Sequence, residues 1–268
     1  MHKLVNFVKY AFLTIVSFVS VFPLYWMLSA ATNKSVDVIR GKLIPGMAVL
    51  DNWEGLLKAQ NVYGAMFNSF KYAALVTLLA LFVCSLAGYG FEIYHDKGKD
   101  LVMGILLLSM MVPFAAIMIP LFQMFSSAKL LNTTTAFLLP MISTPFLIML
   151  FRQSARAFPH DIIEAARIDG LNEFQIFFKM FFPTMRSTYA AAFTITFMNA
   201  WNTYLWPKVI MTNNESLTMP MLIANLTQGY VTDYGVLMLG VLLCTIPTVV
   251  VFFILQRSFT EGITGAVK

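Results

Sequence analysis

Asn199, Asn202 and Tyr204 cluster around Trp201 in the stretch NAWNTYLWP (199–207), inside a run otherwise suited to lipid. Amides donate and accept hydrogen bonds, and aromatic faces pack against C–H surfaces. Such a group suits an uncharged, hydroxyl-rich ligand better than an ion. Other neutral polar residues in the apolar runs, such as Ser109, Gln123, Thr194 and Thr245, are ordinary helix-to-helix hydrogen-bonding material. A second chemical cluster lies at 164–183, EAARIDGLNEFQIFFKMFFP, where Glu164, Arg167, Asp169, Glu173 and Lys179 bring charge into the middle of a greasy chain.

Several chemistries are missing. An ion-coupled carrier needs an ionisable relay or an oxygen-rich cage at mid-membrane, and no Asp, Glu, Lys, Arg or His falls deep in an apolar run. Lys71, Arg152 and Lys208 lie near run ends, where long side chains snorkel to the interface. An intramembrane enzyme needs a nucleophile with a base, or metal ligands, and neither pattern occurs. Nor is there a nucleotide-binding GxxxxGK[ST] loop, since Gly41-Lys42 and Gly98-Lys99 are followed by Leu43 and Asp100. Uphill transport by this chain therefore needs energy from another one. Cys84 and Cys244 fall inside apolar runs and read as packing residues.

The elements that position these residues follow from composition. Of 268 residues, 59% are hydrophobic and only 12% charged, with a mean hydropathy of +0.74. A soluble domain carries about 25% charged residues. The chain is thus an all-α integral membrane protein, one membrane domain over 1–268 with a core at 69–256. Runs of about 20 apolar residues suffice to span a bilayer. Six are predicted: 10–31, 69–91, 101–124, 134–152, 187–208 and 234–256. The first is long for a signal peptide and lacks a clean cleavage site.

An even number of spans puts both termini on one side. Lys97, Lys99, Arg152, Arg156, Arg167, Lys179, Arg186 and Arg257 share that side with the basic ends. Lys34, Arg40, Lys42, Lys58, Lys71, Lys129 and Lys208 lie opposite, and the excess places both termini in the cytoplasm. The net charge of +5 is that of basic cytoplasmic loops and gives no reason to expect nucleic acid. Pro23, Pro113, Pro120, Pro140, Pro145 and Pro247 punctuate the spans and can kink them.

The charged insert, 159–183, separates spans four and five. Pro159 suits a first helical turn, and Ile162, Ile163, Ala166 and Ile168 follow at roughly helical spacing. Glu164 and Arg167 can pair at i,i+3. Asp169-Gly170 ends this helix, with Gly170 as a left-handed cap. Asn172 and Gln175 form a capping-box pattern for a second, aromatic helix predicted to stop at Pro183. Ala165 and Ala166 give a small-residue face that a partner's groove could accept. Pattern alone leaves open an interfacial helix anchored by Phe174, Phe177 and Phe178.

Glu164-Ala165-Ala166, Gly170 at the expected spacing, and Met180-Phe181-Phe182-Pro183 resemble the EAA loop of ABC importer permeases. PFLIMLFRQSARAFPHDIIEAARIDG (145–170), NAWNTYLWP (199–207), NSF (68–70), AGYGFEIY (87–94), MMVP (110–113) and GITGAVK (262–268) are similar to the carbohydrate-uptake branch, in particular its smaller maltose-permease-type subunit. The resemblance covers essentially the whole chain. It implies a coupling helix in which Glu164, Ala165, Ala166, Asp169, Gly170 and Pro183 meet a cytoplasmic ATPase dimer. ATP and magnesium would be bound by those ATPases and no cofactor by this chain. It further implies a second homologous permease and an extracytoplasmic binding protein delivering sugar to loops near 32–68 and 209–233. The C-terminal tail near Gly265–Lys268 would also reach the ATPases. The location implied is a bacterial or archaeal cytoplasmic membrane. Asn199, Asn202 and Tyr204 are candidate substrate-pathway residues. Alternatives are an importer for glycerol phosphate, a polyamine or another solute, and a non-transporting membrane scaffold.

Overall fold

A computed structural model describes residues 2–265, with side-chain surroundings for 5–256. The end of the tail, Ala266 to Lys268, lies outside the described residues. The described secondary structure is helical: α1 (His2–Ala31), α2 (Ser35–Ile39), α3 (Val49–Ala59), α4 (Val62–Ile93), α5 (Lys97–Ser109), α6 (Phe114–Ser127), α7 (Thr134–Leu138) and α8 (Pro145–Arg156). There follow α9 (His160–Ile168), α10 (Glu173–Ile176), a π-helical turn (Phe177–Phe181), α11 (Phe182–Thr184) and α12 (Arg186–Asn202). The chain ends through α13 (Leu205–Ile210), α14 (Met219–Leu226) and α15 (Tyr234–Gly265).

Among the described residues three helices are long and apolar enough to cross a membrane, Val5–Ala31, Val62–Ile93 and Tyr234–Gln256. A fourth crossing requires α5 and α6 together, bent by 100° at their junction. The straight run expected over 101–124 is therefore broken at 110–113. Pro113 has no N–H, and its ring would collide with the carbonyl of Ser109, where α5 ends. The run at 134–152 is likewise divided into α7 and α8, with Pro140 and Pro145 bounding the gap. The run at 187–208 breaks at Thr203, four residues before Pro207. Hydropathy averages over such breaks, which is why six uniform spans were expected.

The chain divides into two compact units. One comprises the described parts of Met1–Met66 with Met219–Pro247. Here α1 exposes most of its apolar side chains between Val5 and Tyr25 and buries Ala30 and Ala31 at its end, and the 32–48 loop is held by buried amides. Asn33 Nδ2 donates to the Ser29 and Ile44 carbonyls at 2.8 and 2.9 Å. Asn52 Nδ2 donates to the Ala31 and Asn33 carbonyls at 2.9 and 3.0 Å.

The other unit comprises Phe67–Thr218 with the described part of Thr248–Lys268. Its core packs Ala80, Cys84, Ile148, Phe151 and Ala192 together. α4 and α8 approach so closely that a Cβ on Gly88 would lie 2.6 Å from Phe151 Cβ and 2.8 Å from the Arg152 nitrogen. Only glycine permits that crossing. Arg152, expected to snorkel, is instead buried at 4% exposure and ion-paired. Its guanidinium donates to Glu92 at 3.0 Å and Asp100 at 2.5 Å. Arg156 adds a 3.2 Å bond to Glu92, and His95 lies 2.9 Å from the other Asp100 oxygen. The close α4–α8 crossing shuts Arg152 off from solvent, so its charge is met by carboxylates of α4 and α5.

Candidate functional site: the capped surface loop and the cavity at a broken helix

The loop after α8 is built by local rules. Pro159 takes the extended cap position, and α9 runs to Ile168 with Asp169 as its C-cap. Gly170 has φ +81°, a left-handed conformation that costs a side-chain-bearing residue about 1–2 kcal/mol. It permits a Schellman closure: the Gly170 N–H donates to Arg167 O at 3.1 Å and the Leu171 N–H to Ala166 O at 3.0 Å. Leu171 then packs on the core beneath. The capping box starting α10 is complete, with Gln175 N–H to Asn172 Oδ1 at 2.9 Å and Asn172 N–H to Gln175 Oε1 at 3.0 Å.

Ile163 and Ala166 face inward with Ile176, Phe177 and Phe181, packing on Tyr89, Ala155 and Phe158. Glu164, Ala165, Asp169 and Gly170 are exposed, as are Ile162 and Ile168. The two alanines therefore play different parts, Ala166 inside this chain and Ala165 at its surface. Of the apolar positions through Ile168, only the i,i+3 neighbours Ile163 and Ala166 reach the core. Arg167 does not pair with Glu164. It reaches across the glycine turn to Glu173, Nε to Oε1 at 2.8 Å. That bond, with the neighbouring Tyr94 hydroxyl, holds the Glu173 carboxyl below the usual carboxylate range.

The aromatic helix runs one residue past Pro183: it widens into the π-turn and ends with α11 at Thr184, Met185 being its C-cap. The wider π-turn, with Phe182 N–H bonded to Phe177 O, directly precedes the proline, which has no N–H of its own. Pro183 is exposed. The latch of Arg167 and Glu173 was missed because Glu164 at i,i+3 was the nearer partner in sequence, whereas the folded turn brings Glu173 to Arg167. The signal was present as opposite charges flanking a capped glycine.

A cavity of about 700 Å³ lies in the same unit. Asn199, Asn202 and Tyr204 all line it, joined by Thr144, Thr196 and Thr203. Val76, Phe114, Leu147 and Trp206 form apolar wall. Trp201 does not line it. Its ring is buried, stacked on Phe197 at 5.9 Å and edge-on to Phe70 at 6.5 Å, a packing role.

Lipid-compatible helices, a capped surface loop and a largely apolar cavity with neutral polar groups at a helix break are features that a membrane transport subunit can use. A family model described as binding-protein-dependent transport system inner membrane component matches residues 86–265. The chain belongs to that family, the multi-pass inner-membrane permeases of ABC importers. It is 46% identical over 266 residues to the lactose transport system permease protein of Rhizobium radiobacter, covering 99% of this chain and 97% of that one. It is 32% identical to the arabinooligosaccharides transport system permease protein of Bacillus subtilis, covering 96% and 94%. A solved chain from a bacterial ABC transporter involved in the import of the acidic polysaccharide alginate superposes with a TM-score of 0.84. At 20% identity over 95% of this chain and 96% of that one, it supports the fold alone.

Proposed function

We propose that this chain is a permease subunit of an ATP-driven importer for an uncharged di- or oligosaccharide. The observation that carries the reading is the near-full-length 46% identity to a lactose permease. The absence of any charged side chain among the cavity's lining residues supports it. A phosphate ester or a polyamine would enter without a counter-charge, which disfavours those cargoes. In this reading six spans, several of them broken, cross the membrane with both termini in the cytoplasm. Glu164, Ala165, Asp169 and Gly170 contact one subunit of an ATPase dimer, which binds ATP and magnesium, while Ala166 and Pro183 hold the coupling loop in position. A second, homologous permease completes the pathway past Asn199, Asn202 and Tyr204. A binding protein delivers the sugar from outside.

Gentle extraction of the tagged chain, followed by identification of what accompanies it, tests this assembly. A second multi-span permease and an ATPase are expected. Recovery of the chain alone or as a homo-oligomer would favour a scaffold instead.

A further inference from the structure

We infer that the broken end of α12, Asn199–Tyr204, forms a subsite for one ring of an uncharged sugar, supplied by this chain itself. The inference rests on the sugar-importer reading and adds where, and by which groups, the sugar is held. The first observation is the break. α12 ends at Asn202, Thr203 is extended (φ −65°, ψ 131°), Tyr204 is irregular (φ −123°, ψ −50°), and α13 starts at Leu205. Pro207 explains it: proline has no N–H to offer the Thr203 carbonyl, and its ring would strike that oxygen in a continuous helix. A helix end leaves its last carbonyls without intrahelical donors. In the six-span reading this end lies within the membrane, where such backbone persists only if protein encloses it or a watered cavity borders it. The cavity meets that requirement.

The second observation is the state of the side chains. Asn199 makes no hydrogen bond within the described chain, so its amide offers both donors and acceptor. Asn202 spends a donor on Met198 O at 2.8 Å, leaving its Oδ1 open. Thr196 donates to Ala192 O at 2.7 Å and keeps its lone pairs. The Thr203 and Tyr204 hydroxyls have no partner within the described chain. This mixture of donors and acceptors matches sugar hydroxyls, each of which does both.

The third observation is the apolar part of the same lining. Trp206 gives its N–H to Ala136 O at 3.0 Å and packs edge-on to Phe114 and Phe125 at 6.0 and 5.5 Å. With Phe114, Val76 and Leu147 it makes a surface free of polar edges. A pyranose or furanose ring is built the same way, with an apolar C–H face and a hydroxyl rim. The cavity's 700 Å³ falls within the ordinary range for small-ligand sites.

The test uses the assembled importer in membranes, with wild-type uptake of lactose and arabino-oligosaccharides choosing the sugar. If neither is taken up, the importer reading for neutral sugars fails, and the subsite with it. Asn199→Cys is then labelled with a thiol reagent, the native Cys84 and Cys244 being buried. The chosen sugar should slow labelling at 199. Asn199→Ala should lower uptake efficiency about tenfold, the loss of one or two hydrogen bonds, with normal amounts of assembled importer. Labelling that sugar leaves unchanged, together with undiminished uptake by Asn199→Ala and Tyr204→Phe, would overturn the subsite while leaving the importer intact. Slowed labelling without an uptake defect would also overturn it, by showing closure around the site without use of it.

Discussion

Gly170 shows how one residue fixes the loop. A Cβ there would meet nothing within 4 Å, so the demand is conformational rather than steric. Gly170→Val should strain the turn by about 1–2 kcal/mol and abolish uptake, with normal insertion and amount. Gly170→Asn, which tolerates the left-handed region better, should retain much of the transport. Equal loss in both variants would show that room, not backbone freedom, is what the site requires. Ala165 and Ala166 make a matching pair. Ala166→Leu overfills the core beneath α9 and should cost about 1–3 kcal/mol in stability, read as a lower melting temperature in detergent. Ala165→Leu should leave melting unchanged and still impair uptake, because its added bulk projects outward.

At the scale of elements, the end of α4 carries the largest electrostatic commitment. Arg152 of α8 is buried between Glu92 of α4 and Asp100 of α5, whereas the Lys58–Glu54 pair stands in solvent. Removing the buried Arg152 leaves Glu92 with only the half-exposed Arg156 and Asp100 with His95, so Arg152→Met should destabilise the chain by about 3 kcal/mol, the low end for a broken buried pair. Lys58→Met should cost under about 1 kcal/mol. Comparable small losses would mean that water reaches the Arg152 site. The α9–Gly170–α10 turn was legible in the sequence because its rules are local: a capping glycine, and an Asn with Gln three residues later. The Arg152 cluster was not, since pairing Arg152 with Glu92 and Asp100 requires knowing that α4, α5 and α8 converge. Helix breaks were half legible. Pro113, Pro140 and Pro145 marked the breaks beside them, but Pro207 acts on a carbonyl four residues upstream, and hydropathy passes smoothly over Thr203.

For the whole molecule, the sequence has membrane-compatible helices and no GxxxxGK[ST] nucleotide-binding loop. Its family places it in an importer, and in the proposed assembly its exposed loop is where force from an ATPase would enter. The all-helical membrane class and the capped turn were readable because lipid compatibility and capping are properties of short stretches. How the long runs bend, and which alanine faces outward, depend on packing between distant segments. The most direct measurement is cross-linking from Ala165→Cys and, separately, Ala166→Cys in the assembled complex. An adduct between position 165 and the ATPase, with little or none from buried position 166, is the predicted result. No ATPase adduct from 165 in a complex shown to contain the ATPase would contradict the assignment of this loop as the coupling element.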